Sequence, residues 1–405
     1  MPVTPIDAML QPPSDDELAG CDAIVVGAGF AGAVIAREIA ERGGRKVAVI
    51  ERRPHIAGNA YDHSDRQGVL IHKYGPHIYH TNSERVHTFL SRFTEWYDYQ
   101  HEVLASVHGK YIPVPFNLNS IAASFPADKA AAYRDALLGS YALGSKVGIL
   151  QLRRSDQELL RELAEYVYEH VFLHYTMKQW GLAPDEIDPE VTARVPVLVD
   201  TDNRYFQDRY QGMPQNGYTP LFERLLDHPN ITVYLGLDAI SRLHFDVQEG
   251  QAKALDFGSL PYFGTVVYTG ALDELAGWRY GILPYRSLDF VYRYYQQKHV
   301  QPCGTVNFTV SESYTRTTEY TWLTGQQLDV TTVAEEYPRA FEDTQAQIPY
   351  YPILTDANKQ AYQRYVDFFA PLTNFRALGR LAEYRYYNMD AIVQRALGMA
   401  DELLS

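Results

Sequence analysis

The apolar and polar positions along this chain change their period several times. A β-branched run at Ile24–Val26 is followed by an alanine-rich amphipathic stretch, Ala31–Arg42, closed by Gly43-Gly44. A second apolar run, Lys46–Ile50, comes next, so the pattern predicts strand, helix, strand: one βαβ unit. From Val103 to Pro115 the alternation has period two around Gly109-Lys110, which predicts an antiparallel hairpin. Residues from about 120 to 193 then repeat at helical spacing, as in DQELLRELAEYVYEHVFLHY, before Pro184, Pro189 and Pro196 punctuate the chain. YTPLFERLLDHPNITVYL predicts a helix and then a strand, and TVVYTGAL a further short strand before Gly270. After Leu283 the segments LDFVYRYYQQ, GTVNFTVS and TEYTWLTG are short, aromatic and alternating, and predict a second sheet. FRALGRLAEYRYYNMDAIVQRALGMADELL predicts a glycine turn and a closing helix.

A chain of 405 residues, 46% hydrophobic, can bury a substantial core and suggests two or three domains. It contains no apolar run near the roughly 18 residues that span a bilayer. The opening MPVTPIDAMLQPPSDDELAG lacks a basic start and an apolar centre, so a flexible lead-in is expected there rather than a secretory signal. Cys21 and Cys303 are too few for a disulfide framework, and suit small buried side chains in a reducing cytoplasm. A net charge of −14 argues against nucleic acid or an anionic membrane as partner. An anionic ligand would need a few placed arginines. The 32 tyrosines offer stacking faces with polar tips, which suits sugars and nucleotide bases.

Chemistry enters at IVVGAGFAG. Gly27 permits a tight turn after the strand, Gly29 lets the backbone approach a pyrophosphate, and Gly32 lets the helix pack close to the sheet. The helix that follows, from Phe30, offers free N–H groups to phosphate. Glu51 ends the second strand, where a carboxylate meets ribose hydroxyls and repels a 2′-phosphate. The continuation Arg52-Arg53-Pro54-His55-Ile56-Ala57-Gly58-Asn59 supplies a small-residue turn of the kind flavoproteins use near the cofactor's centre, which favours FAD over NAD. His77 and His80, three apart, lack an evident third ligand, so no metal site is expected.

Taken in order, VGAGFAGAVIAREIAERG, IERRPHIAGNAYD, YGPHIYHT, PVPFNLN, YTMKQWGL, NRYFQDRYQGMPQNGYT, YRSLDF, SYTRTTEY and GRLAEYRYYNMD resemble the bacterial branch of the UDP-galactopyranose mutase family, from about Cys21 to Leu403. The resemblance implies an α/β fold: a Rossmann-like FAD-binding domain from residues 20–95, 211–270 and 368–405, an inserted helical bundle at 118–193, and an inserted antiparallel sheet from 96–117 and 271–367. It further implies a mobile substrate loop at 194–210, with 1–19 a lead-in. The implied activity is interconversion of UDP-galactopyranose and UDP-galactofuranose, an isomerisation without net redox change. The resemblance implies that nitrogen 5 of reduced FAD attacks the anomeric carbon and expels UDP, that the sugar opens through an iminium adduct and recloses as a furanose, and that UDP then returns and releases the flavin.

By the same resemblance Arg194 and Arg316 clamp the diphosphate. Tyr175, Thr176, Trp180, Tyr205 and Phe206 surround the uracil and substrate. Tyr337 and Tyr386 donate to the diphosphate, and Asn117, Arg286, Asn307 and Asn388 line the sugar and UDP site. Gly27, Gly29, Phe30, Gly32, Glu51, Arg52, Gly58, Asn59, His77, Arg380 and Met389 hold the cofactor, with His77 stabilising negative charge on reduced flavin. Many relatives carry an acid where this chain has Asn388, so a general-base carboxylate is not required there. A homodimer in the cytoplasm and an external reductant complete the expectation. The rival readings are a flavin oxidase or dehydrogenase, and a non-catalytic nucleotide-sugar-binding flavoprotein.

Overall fold

The structure, a computed structural model, describes residues 12–180, 196–310, 312–342 and 346–405; the side chains of Phe172, His174 and Trp180 also lie outside the described part. Among these residues the first sheet has five strands, all parallel, in the order Ile231–Leu235, Val47–Glu51, Ala23–Val26, Thr265–Tyr268, Phe375–Ala377. The first strand lies in the middle, so neighbouring connections leave it in opposite directions and open a crevice at its carboxyl end. Val47–Glu51 is buried along its whole length, as expected of a strand covered on both faces. The helices Phe30–Glu41, Tyr218–Leu226 and Met389–Leu404 cover one face, and their apolar stripes share a core with Val25, Val49 and Val267.

A second sheet has seven strands among the described residues: Tyr351–Pro352, Tyr285–Tyr295, Thr331–Ala340, Arg316–Glu319, Thr305–Phe308, Val103–Val107 and Lys110–Val114, in that order. The hairpin expected at Val103–Pro115 joins it through a parallel pairing of Val103–Val107 with Thr305–Phe308. The sheet is therefore mixed rather than antiparallel throughout, because two segments distant in sequence meet there. Helices Leu118–Ser124, Ala127–Ser140 and Glu158–Val167 pack on the hairpin's apolar face. A wide π-helical turn, Tyr168–Leu173, leads into the last helix, His174–Trp180. Such turns lengthen a helix by a residue and redirect the side chains after it.

Two further expectations are corrected. TEYTWLTG does not continue as strand: Arg316–Glu319 ends and Tyr320–Thr324 forms a helical turn stopped by Gly325 at φ 68°. Residues 14–19 are no loose lead-in. Ser14 and Glu17 form a capping box on helix Asp15–Ala19, Leu18 is fully buried, and Asp15 pairs with Arg242 at 2.6 Å. In the described part of 194–210 the backbone is bonded to its neighbours at several points. Leu198 donates to the Phe116 carbonyl, Val199 to that of Ser145 and Tyr205 to that of His101, while Val197–Leu198 pairs with Lys146–Val147. Residues 1–11, and Arg194 with them, lie outside the described residues.

Candidate functional site

Two clefts meet beside the crevice of the parallel sheet. The first, about 1180 Å³ with its open mouth included, is walled by the glycine turn, Glu51–Arg53, the Gly58 turn and the Asn388–Met389 corner. Gly27 sits at φ 104°, and a Cβ there would come within 2.1 Å of Thr269 Oγ1. A Cβ on Gly32 would lie 1.9 Å from the Gly27 carbonyl, so this glycine is required by helix–strand packing and not by the cleft it adjoins. Gly29 differs from both. Its φ is −81°, and an added Cβ would meet nothing nearer than Gly58 Cα at 3.6 Å. Neither backbone conformation nor protein packing calls for glycine there, whereas a ligand passing over the turn does. Gly58, at φ 55°, packs its backbone on Gly29 and continues the same wall.

The N-terminus of helix Phe30–Glu41 opens into this cleft with no acid in its first turn and no side-chain cap. Glu51 is buried, accepts the Ala28 N–H at 2.9 Å and the Arg53 N–H at 2.9 Å, and so fixes the glycine turn while lining the cleft. Arg52 lines it too and pairs with Glu274 across its edge at 2.8 Å. The set suits a dinucleotide: a backbone cradle and dipole for pyrophosphate, and an acid for ribose.

The second cleft, about 1570 Å³ with its open mouth included, lies between the 74–78 and 380–389 segments, the mixed sheet and the helix His174–Trp180. Asn59, His77, Tyr350, Arg380, Asn388 and Met389 line both clefts, which makes this the junction. Arg380 donates to the carbonyls of Tyr350 at 3.3 Å and Tyr387 at 2.5 Å, and lies over the rings of Tyr351 and Tyr386. It has no carboxylate partner among the described residues, so its charge is available to a ligand. Asn388 precedes the helix Met389–Leu404 yet makes no side-chain cap hydrogen bond. His77 donates Nδ1–H to the Gly75 carbonyl at 2.9 Å, and its backbone N–H donates to His72 Nδ1 at 3.0 Å. Burial, reinforced by His72, pushes His77 down to about 3, so it is a neutral ring at physiological pH. Any positive charge at the junction comes from Arg380 instead.

Arg316 enters the second cleft from its strand, paired in register with Glu336 and 3.3 Å from that buried carboxylate. Burial opposes its charge, but Glu336 and the tyrosines around it, Tyr175 first, raise its pKa and keep it a cation. Tyr175, Thr176, Tyr205, Phe206, Asn307, Tyr386 and Asn388 line the same cleft. Asn307 Oδ1, Thr305 Oγ1 and Gln179 Oε1 are buried in its wall without hydrogen-bond partners among the described residues. Buried polar atoms are normally satisfied, so three orphans in one wall point to a polar ligand.

Three expected residues stand elsewhere. Asn117 is fully buried as the cap of helix Leu118–Ser124: its Oδ1 accepts from Asn119 and Ser120, and its Nδ2 donates to Asp202 O and Asn203 Oδ1. No part of its carboxamide remains for a sugar. Arg286 donates to the carbonyls of Gln179 and Lys178, holding the C-terminal end of helix His174–Trp180 from behind. Tyr337 follows Glu336 on the same strand and therefore faces the other way, where it donates to Glu335. Arg194 and the Trp180 side chain lie outside the described residues. Sequence reasoning missed Glu336, His80, His101 and Asp208. Their signal is only spatial, since register and packing bring them in from separate segments. Among the described residues no group of three His, Cys, Asp or Glu side chains could hold a metal, and no helix is long and apolar enough to cross a membrane.

Comparison with known proteins agrees with this geometry. Residues 170–386 match the UDP-galactopyranose mutase family model, and residues 25–93 match that of an NAD(P)-binding Rossmann-like domain. The chain is 35% identical over 385 residues to a probable UDP-galactopyranose mutase of Klebsiella pneumoniae, covering 94% of each chain. It is 32% identical over 380 residues to a dTDP-fucopyranose mutase of Escherichia coli, covering 93% of this chain and 97% of that one. A crystal structure of reduced UDP-galactopyranose mutase superposes with a TM-score of 0.68 at 15% identity, over 94% of this chain and 95% of the other.

Proposed function

We propose an activity for this chain from one established premise: it belongs to the UDP-galactopyranose mutase family and is an enzyme of that family. The reaction is interconversion of UDP-galactopyranose and UDP-galactofuranose on FAD. The observation that carries it is the junction: one dinucleotide cleft opens into one polar, tyrosine-rich cleft, and Arg380, His77 and Asn388 belong to both.

The first cleft would hold FAD through the Gly27–Gly32 turn, Glu51 and the Gly58 turn. Reduced FAD would supply a nucleophilic nitrogen at the junction and a route around any net oxidation of the sugar. Tyr175, Tyr205 and Phe206 would receive the uracil and its ribose. Arg316, with Arg194 as its sequence-inferred partner, would hold the diphosphate, both as leaving group and for its return. Glu336 sets how much of that charge is felt, since a paired guanidinium attracts a dianion less than a free one. Asn388 would orient sugar hydroxyls without acting as a base. The reductant comes from outside the chain, in keeping with the single glycine-rich unit, and the working form is a cytoplasmic homodimer.

Purified holoenzyme incubated with UDP-galactofuranose, oxidised and dithionite-reduced, tests the reading by chromatography of the products. UDP-galactopyranose formed only after reduction is the expected result. No conversion in either state, with electrons passing to another substrate, overturns it in favour of an oxidoreductase. A parallel assay with dTDP-fucopyranose checks the sugar. Conversion of that substrate alone keeps the mutase class and overturns the substrate assignment.

A further inference from the structure

We infer that Asp208 positions His80 to read a sugar hydroxyl in the second cleft. The inference rests on that cleft being the sugar site. Strand Tyr79–Thr81 pairs antiparallel with Tyr210–Pro214, and the register sets Gln211 opposite His80. Two residues before that ladder begins, Asp208 reaches back to the imidazole, with Oδ2 at 2.6 Å from His80 Nδ1. Its other oxygen accepts the carboxamide of Asn82, whose Oδ1 in turn accepts the Arg209 N–H at 2.9 Å. The carboxylate is thus fixed on both sides before it meets the histidine. Phe206 stacks on the ring face at 3.6 Å and 11°, which leaves His80 one orientation.

The consequence is a tautomer. A carboxylate only accepts, so Nδ1 carries the proton toward Asp208, and with that one proton on the ring Nε2 is the acceptor left to meet a ligand. His80 lines the second cleft, and its Nε2 makes no hydrogen bond among the described residues. A hydroxyl is the matching donor. An exocyclic or secondary sugar hydroxyl bound there would be held in one direction, which matters when a single ring hydroxyl must later close a new ring. His80 therefore touches the substrate, while Asp208 acts through it as a positioning residue. A purely structural latch, tying the Tyr205–Phe206 segment to its neighbour strand, makes different predictions.

Nitrogen-15 NMR of histidine-labelled oxidised holoenzyme tests the tautomer without turnover. His80 Nε2 is expected to give an unprotonated signal that moves with UDP-galactopyranose and not with UDP alone. Asp208→Asn is expected to convert it to a protonated signal. In the reduced enzyme Asp208→Asn should lower kcat about tenfold, the scale of one misdirected hydrogen bond, with UDP affinity kept within about twofold. Asp208→Glu should recover part of the loss. His80→Gln, which leaves the ladder and Asp208 in place, should give the same pattern and serves if Asp208→Asn fails to fold. A wild-type signal indifferent to the sugar, an unchanged kcat, or UDP affinity falling in step with kcat overturns the inference. If the wild type converts no UDP-galactofuranose, the mutase reading fails instead, and the NMR result alone decides the dyad.

Discussion

The two clefts are built by different means. The nucleotide cleft is largely backbone: a glycine turn, a helix N-terminus and a second glycine turn, with its first walls inside Val26–Ala60. The second cleft is side chains drawn from the 59–78 and 380–389 segments, the mixed sheet, a helix and the 196–210 segment, with Arg316 set against the buried Glu336. Backbone sites depend on what a side chain would exclude. Side-chain sites depend on what a missing partner would leave unpaid. Substitutions should therefore fail in opposite ways in the two places.

The largest effect is expected at Gly32→Ala. Its methyl would sit 1.9 Å from the Gly27 carbonyl, a backbone atom that cannot swing away. Helix Phe30–Glu41 would have to move off the sheet, at a cost of ~3 kcal/mol or more on the overpacking scale. Soluble yield and flavin content should fall together. Gly29→Ala sharpens the point, because its methyl meets nothing within 3.5 Å and should leave apoprotein stability unchanged. FAD affinity alone should drop, by about tenfold or more on the scale of one lost close contact. Equilibrium unfolding of the apoproteins beside flavin titration separates the two glycines. A destabilised Gly29→Ala apoprotein would mean that the turn is glycine for the fold's sake.

Arg316→Ala comes next. It removes one of the two arginines that line the second cleft among the described residues and strands Glu336, a buried carboxylate that then costs about 3–5 kcal/mol unless it takes up a proton. Activity should fall by about two orders of magnitude or more, as when a charge-stabilising donor is removed. Arg316→Ala with Glu336→Gln should regain stability and not activity. Denaturation curves and kcat/KM on the pair of variants check this, and recovery of both properties would make the arginine structural.

Acid should act through the second cleft and the wall behind the junction. His72 and His101 are buried, and burial holds each down to about 3, so both are neutral in the folded protein. Their folded pKa lies below the unfolded value of 6.5. The stability they contribute is complete above that value and is lost as pH falls toward 3. Between those limits each histidine costs up to about 1.4 kcal/mol per pH unit. Unfolding free energies at pH 7 and 5 should differ accordingly, and His101→Gln should flatten the slope by about one histidine's share. A slope that His101→Gln leaves unchanged would clear that residue.

How much of this was legible in the sequence follows the same division. The βαβ unit, the hairpin at Val103–Pro115 and the closing helix were visible because their signals are periodic and local. Gly27, Gly29, Gly32 and Glu51 could be assigned distinct physical tasks from spacing alone. The His80–Asp208 contact spans 128 residues, and the Arg316–Glu336 pair depends on strand register, so neither leaves a local trace. Ser14-x-x-Glu17 was a readable capping signal hidden by the prolines beside it. TEYTWLTG alternates like a strand, yet burial of Tyr320 and the turn at Gly325 override the pattern. Tyr337 and Glu336 show the limit most plainly, since a one-residue difference along a strand decides which one faces the cleft.

The smallest effect, at Asn117, tests whether a polar residue in a site-like motif belongs to a site at all. Its Oδ1 caps helix Leu118–Ser124 through the N–H groups of Asn119 and Ser120, and its Nδ2 holds the Asp202–Asn203 turn. Asn117→Ala removes the cap and both loop bonds, so stability should fall by about 1–2 kcal/mol, the upper range for a cap in a protein host. Asn117→Asp keeps the acceptor that the cap needs but turns its second oxygen toward the Asp202 carbonyl and Asn203 Oδ1, and should recover less than half of the loss. In both variants kcat should stay within about twofold of wild type, because the carboxamide faces the helix and not the cleft. If kcat instead falls tenfold while stability holds, Asn117 acts on the substrate, and the division between a backbone-built cleft and a side-chain-built one must be redrawn to include the hairpin's end.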